Sequence, residues 1–403
     1  MDLENKELWN LNTPARFWLC QPDLPEELWQ DAIRKSMPIL GLANDRSDIE
    51  SLLALTLGEE CFGPDHWTLS IPKKIYYLLK PTLPRFFTRI LRRGYIHIQK
   101  TGLEIQWPID RRYVVFLWEV LTRILRGSPG QKLLVKSLWP ANQRFSFVLT
   151  HDVESKSGLE YVRKVADLEE SLGFRSSFNF VPEAYQVDKI LLDELRHRGF
   201  EIGIHGLKHD GKLFSSRNEF ERRATKINHY LKDFGAVGFR APLTHRNPEW
   251  MQALEIEYDL SFFDTDPFEP IPGGTMSIWP FFLGRFVELP YTLAQDYTLT
   301  SILNETTARM WIEKVDFIKK YHGMALINTH PDYLKDPAKL GIYSEFLETV
   351  KQRGEFWHAL PRNVARWWQD RANETTSDIA NKGTLATATL VEEDVIICPC
   401  AKA

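Results

Sequence analysis

The chain has 403 residues, 43% of them hydrophobic and 12% aromatic, enough for a large core spread over two or three domains. Its 50 basic and 54 acidic residues give a formal net charge of −4, which excludes the basic character of a general nucleic-acid binder. The four cysteines, Cys20, Cys61, Cys398 and Cys400, leave the middle of the chain bare and argue against a disulfide-held core.

The segment Met1-Asp2-Leu3-Glu4-Asn5-Lys6 is acidic and polar, unlike a signal peptide, and no run of eighteen apolar residues follows. The expectation is a cytoplasmic protein. Residues 1–140 read as a mostly helical accessory region without a catalytic signature. Pro25-Glu26-Glu27-Leu28-Trp29 opens one helix and Ile49–Leu55 forms another. Residues 71–93 carry Lys73, Lys74, Lys80, Arg85, Arg89, Arg92 and Arg93, no acid, and interleaved Tyr, Phe, Leu and Ile. Such a segment suits peripheral contact with an anionic membrane, and equally a helical pair whose apolar side packs on the rest of the chain. Tyr113–Leu125 reads as a buried helix, and Gly127-Ser128-Pro129-Gly130 punctuates the chain before the central domain.

From 141 to 370 strands and helices alternate. Apolar runs predict strands at 145–149, 176–181, 200–204, 237–239, 260–263, 286–290 and 324–328. Amphipathic spacing predicts helices at 157–172, 189–198, 214–234, 248–255, 306–321 and 345–353. Regular β–α alternation with short connections means a parallel sheet, and about seven units suit a closed or nearly closed barrel. Residues 371–403, rich in Thr, Ala, Asn and Asp, read as a flexible tail.

The strands end in ionisable residues, at the rim where α/β folds bind ligands. Those ends offer Asp152 and Glu154, His205 and His209, Arg240, Asp264 and Asp266, and His330. Two imidazoles and a carboxylate make a common catalytic zinc set. A second carboxylate serves as proton acceptor, a histidine across the rim as proton donor, and an arginine orients a carboxylate. Each signal has a plain structural reading as well. A lone HxxxH is more often two ordinary histidines, Asp-x-Glu after a strand is often a helix cap, and Asp264-Thr265-Asp266 suits an Asx turn. Their joint occurrence at successive strand ends favours a metal-assisted hydrolase.

The ordered series Thr150-His151-Asp152-Val153-Glu154, His205-Gly206-Leu207-Lys208-His209, Arg240-Ala241-Pro242, Asp264-Thr265-Asp266 and Ile327-Asn328-Thr329-His330 resembles the five motifs of the polysaccharide deacetylase family, the NodB-homology carbohydrate esterases. The resemblance spans about residues 140–365. It implies a distorted (β/α)7 barrel that removes acyl groups from N-acylated sugars with a divalent metal, zinc foremost. It further implies Asp152 as general base, His330 as general acid, Arg240 as the group orienting the base, and His205 and His209 as ligands. The third ligand is either Glu154, or Asp152 itself with the base displaced. Asp264 or Asp266 would support His330 or the substrate, together with Pro242. The loop Pro267–Thr275 would rim the site, and Trp279, Phe281 and Phe282 would stack a sugar or simply pack. The partner expected is a carbohydrate substrate. The alternative is a barrel that binds a glycan or membrane partner without hydrolysis.

Overall fold

The computed structural model describes residues 5–42, 48–63, 66–69, 105–373 and 385–399. The expectation for residues 71–93 therefore lies outside the described residues, as does Cys400. Among the described residues no helix is long and apolar enough to cross a membrane.

A short strand, β1 (Lys132–Lys136), precedes the central sheet. That sheet contains β2 (Phe145–Val153), β3 (Ser177–Phe180), β4 (Glu201–His205), β5 (Gly238–Arg240) and β6 (Tyr258–Asp259), then β7 (Phe281–Leu283), β8 (Phe286–Glu288), β9 (Met324–Thr329) and β10 (Phe356–His358). The parallel order is β9-β2-β3-β4-β5-β6-β8. The antiparallel hairpin partner β7 flanks β8, and β10 adds to the lower half of β2. The sheet curls back on itself, because the backbone N–H groups of Thr292 and Leu293 both donate to the Leu326 carbonyl of β9, at 3.0 and 3.1 Å. Seven parallel strands thus curl into the expected distorted barrel, with the segment after β8 meeting β9 through those two bonds. All nine residues of β2 are buried, as a central parallel strand covered on both faces requires.

Helices follow the strands because apolar residues recur at helical spacing and polar side chains cap the starts. Ser216 accepts from the Glu219 N–H at the start of Arg217–Asp233, and Asp188 from the Ile190 N–H at the start of Lys189–His197. Gly173 stops Val162–Leu172 in the left-handed conformation that glycine adopts without strain.

The predicted strand at 260–263 gives way to the two-residue β6 just before it, paired with β5 and β8, and within 260–263 itself there is an isolated parallel bridge between Phe263 and Tyr291. Side-chain acceptors divert the backbone here. Ser261 donates its N–H to Asp259, and Phe262 donates its N–H to Glu288 Oε1.

The helices Pro14–Trp18, Glu26–Ser36, Ile49–Thr56 and Arg112–Gly127 pack together and onto the barrel in one continuous core. Helix Arg112–Gly127 buries Val114, Phe116, Leu117, Val120, Leu121, Ile124 and Leu125, each contributing about 1.5–3 kcal/mol of apolar burial. Asn12 brackets the hairpin, donating to the Phe282 carbonyl at 2.8 Å and accepting from the Phe282 N–H at 2.7 Å. Trp279 is buried between Phe17 and Trp118 at centroid distances of 5.0 and 5.5 Å. With Phe281 also buried, these rings are core and not a sugar-stacking surface.

The tail reading of 371–403 is corrected for its described part. The helix Pro361–Asn373 runs into that stretch, and β11 (Leu385–Val391) and β12 (Asp394–Pro399) form a hairpin whose β11 pairs antiparallel with β1. Alternation with small residues explains it. Ala386, Ala388 and Leu390 face inward while threonines separate them, a period-2 pattern that composition alone reads as polar.

Glu201, at the start of β4, is buried, accepts from the Tyr258 hydroxyl at 2.9 Å, and is pushed up to about 7 by that burial. The folded state therefore holds a proton that the unfolded state releases above its ordinary value near 4.5. This group's stabilisation is full below that value and is lost as pH rises towards 7, by roughly 3 kcal/mol at most. Glu201→Gln should abolish that component. Urea denaturation at pH 5 and pH 8 should show a shallower fall for the variant than for the wild type; equal slopes would refute the assignment.

Candidate active site

Five neighbouring strands deliver the site. Asn328 lies on β9, Asp152 on β2, Asn179 on β3, His205 ends β4 and Arg240 ends β5, and the parallel register sets them side by side at the same rim. Past β2 comes Glu154, and past β9 comes His330. The turn from His205 to His209 passes through Gly206 at φ +64°, where a Cβ would come within 2.4 Å of the Pro242 ring. Pro242 thus acts as a wall that fixes the HxxxH turn rather than as a residue lining the cleft.

The carboxylate of Asp152 is held from three sides. Asn179 Nδ2 and Arg240 Nη1 donate to Oδ1 at 3.0 and 3.1 Å, and Asn328 Nδ2 donates to Oδ2 at 2.9 Å. Burial alone would raise its pKa; the charge of Arg240, with the neighbouring His205 and His330 rings, outweighs burial and holds it well below the usual carboxylate range. Arg240 is itself fixed, with Nε donating to the Leu260 carbonyl at 2.9 Å and Nη1 to Thr150 Oγ1 at 3.0 Å.

Glu154, His205 and His209 present ligand atoms that all lie within 4.8 Å of one another. Glu154 Oε1 is 3.0 Å from His209 Nε2 and 3.7 Å from His330 Nε2. Burial opposes ionisation of Glu154, but the charges of His209 and its neighbours hold it well below its ordinary value. His205 Nδ1 sits 3.2 Å from the Arg240 carbonyl, so the Nδ1–H tautomer leaves Nε2 with its lone pair facing the cluster. That Nε2 is buried and has no hydrogen-bond partner, and burial pushes the ring down to about 4, so it stays neutral. A buried, unprotonated imidazole nitrogen beside a second imidazole and a carboxylate fits a divalent metal.

His330 stands on the other flank. Its Nδ1 lies 2.7 Å from Asp296 Oδ1, and its backbone N–H donates to Asp296 Oδ2 at 2.9 Å. Burial would lower its pKa, but Asp296 and then Glu154 and Asp152 push it up to about 10, so the ring carries a proton at neutral pH. These groups border an open cleft of about 560 Å³, lined further by Leu243, Thr244, Glu269, Pro270, Gln295, Tyr297 and Tyr333. Glu269 and Pro270 come from the loop 267–275, which does rim the site.

Asp264 and Asp266 do not reach it. Asp264 pairs with Lys314 at 2.7 Å, and Asp266 accepts from the Tyr291 hydroxyl at 3.1 Å and the Phe268 N–H at 2.7 Å. Both are buried away from the cleft, and the support for His330 comes from Asp296 instead. Asp296 escaped the sequence reading because its signal lies beyond the strand 286–290, whose extended course continues through Leu293 before the polar Gln295-Asp296.

No family profile and no curated protein matches this chain. Solved structures similar to it include a protein assigned as a polysaccharide deacetylase from Mycobacterium smegmatis, 16% identical, covering 59% of this chain and 94% of that one with a TM-score of 0.48. PuuE allantoinase matches at 16% identity, with 60% and 95% coverage and a TM-score of 0.48. The peptidoglycan deacetylase PdaC from Bacillus subtilis matches at 14%, with 57% and 94% coverage and a TM-score of 0.38. At such identity and overlap the likeness carries no function from those proteins to this chain.

Proposed function

We propose that the chain is a metal-dependent hydrolase that removes an acyl group, such as acetyl, from an N-acylated sugar or glycan precursor. One observation carries this reading: the Glu154–His205–His209 triplet is flanked by an ionised carboxylate on one side and a protonated imidazole on the other. Glu154, His205 and His209 would hold a divalent cation, zinc by the chemistry of the donor set. When bound, the ion supplies positive charge that polarises an acyl oxygen and acidifies water. Asp152 takes the proton of the attacking water. Its depressed pKa makes it a weak acceptor, suited to an acidified donor and not to bulk water. Arg240, Asn179 and Asn328 fix the direction in which its oxygens point. His330, held by Asp296 through Nδ1, keeps Nε2–H available to the cleft and protonates the leaving amine.

What supports hydrolysis over mere glycan binding is that Glu154 points into the cluster, 3.0 Å from His209. The purified protein should retain close to one divalent ion per chain by elemental analysis, and His205→Ala should lose it together with release of acetate from N-acetylated sugars. Metal-free protein with full activity would sink the mechanism.

A further inference from the structure

A second cavity lies away from the cleft, among helix Pro14–Trp18, strand β7, the start of helix Arg112–Gly127 and the end of helix Pro361–Asn373. It holds about 380 Å³, opens to solvent, and shares no lining residue with the cleft around Asp152 and His330. Arg371 lines it and is only 3% exposed. A guanidinium carries five N–H donors. Three are spent on the backbone. Nε donates to the Ser137 carbonyl at 3.1 Å, and Nη2 donates to the carbonyls of Phe17 and Lys136 at 2.6 and 3.2 Å. The rings of Phe17 and Trp368 lie 5.9 and 5.1 Å from the guanidinium carbon. Nη1 makes no hydrogen bond and no carboxylate forms an ion pair with Arg371 among the described residues. Burial pushes its pKa down to about 9, so the charge persists at neutral pH. A buried charge without a counterion is costly, and folded proteins rarely leave one.

Tyr113 is a second, independent sign. It lines the same cavity, is 3% exposed, and its hydroxyl finds no partner among the described residues. Neither that hydroxyl nor Arg371 Nη1 is sealed from solvent, and the cavity is the opening that both residues border. Arg16, which is exposed and forms no ion pair among the described residues, lines it too. No aspartate or glutamate does so among the described residues, and Leu57, Phe281 and Trp368 supply apolar walls. Two N–H groups and one O–H left over at such an opening suit an anion. One buried cation matches one negative charge; a doubly charged head would bring in a second charge with only a solvated arginine to meet it. We propose that the cavity binds a small carboxylate with a short apolar tail, its head on Arg371 and Tyr113 and its tail against Leu57, Phe281 and Trp368. The site stands apart from the hydrolase reading and ties the N-terminal helices to the hairpin and to the helix that follows the barrel.

The test titrates the full metal-loaded chain with butyrate at constant ionic strength, by calorimetry and by thermal melting. Butyrate should bind and raise the melting temperature, whereas uncharged butyramide and doubly charged sulfate should bind at least about tenfold more weakly. Tyr113→Phe should weaken butyrate by about three- to tenfold, and Arg371→Gln should abolish its binding, with the fold of each variant checked by melting without ligand. A carboxylate also settles on metal ions, so the titration is repeated on His205→Ala, where binding should persist. No binding by the wild type, equal binding of butyramide or sulfate, an unchanged affinity in Tyr113→Phe, or loss of binding in His205→Ala overturns the proposal. Should Arg371→Gln fail to fold, Tyr113→Phe decides alone.

Discussion

Asp152→Asn should lower kcat for deacetylation by about 10²–10⁴-fold while the bound divalent ion is retained. The substitution keeps the shape of the side chain and removes its ability to take a proton. Glu154→Gln should do the opposite first, releasing the ion and losing activity as a consequence. The pair of variants separates the two divisions of labour that the spacing Asp-Val-Glu leaves open. If Asp152→Asn empties the metal site and Glu154→Gln leaves it filled, Asp152 is the ligand and the base lies elsewhere. The geometry favours the first outcome. Asp152 spends its oxygens on Asn179, Arg240 and Asn328, and Glu154 Oε1 lies beside His209. Elemental analysis of each variant beside its turnover decides the matter.

The second large effect is on stability. Glu59→Ala should destabilise the fold by about 3–5 kcal/mol in urea denaturation, because it strands a buried arginine. Glu59 and Arg246 are both fully buried, and Arg246 Nη2 approaches Glu59 Oε1 at 2.6 Å while Nε donates to Oε2 at 2.9 Å. The guanidinium sits over Phe263, Trp67 and Phe262, with 4.4 Å to the nearest ring centre. Burial alone would raise the Glu59 carboxyl; Arg246 and His66 outweigh it and bring it down to about 2. The pair's contribution is thus complete above an ordinary glutamate pKa and is lost as pH falls through about 4.5 towards 2. Replacing both partners with methionine should recover most of the loss, since no charge is then left unpaired. A single-variant cost below about 1 kcal/mol would mean that water reaches the pair.

The sequence made the site legible to the extent that chemistry lay next to a strong strand signal. The apolar run 145–149 and the β–α alternation place Asp152, His205, Arg240 and His330 at strand ends, and the fold brings them to one rim. The same logic misplaced Asp264 and Asp266. They follow a segment in which the Asp259 and Glu288 side chains take the Ser261 and Phe262 N–H groups and the ladder shrinks to an isolated bridge, so strand alternation no longer dictates where their side chains point. Asp296 and Glu269 were silent for the converse reason. Each lies in irregular backbone, and only barrel closure and the pinned loop bring them to the cleft. The hairpin β11–β12 was hidden because alanine and threonine make a weak hydrophobic alternation, whose partner β1 lies some 250 residues earlier.

The small sheet of β1, β11 and β12 gathers distant parts of the chain. The Leu134 carbonyl takes the Gln21 N–H at 2.8 Å, while Leu134 is registered with Thr387 and Arg371 donates to the Phe17 carbonyl at 2.6 Å. On the ribosome this sheet is therefore the last of the described elements to be completed. By the time residue 391 emerges, every strand of the barrel has already been made. The active-site rim can then be assembled while β1 still waits as an open edge, and in that interval the nascent protein is most exposed to pairing with a neighbouring copy.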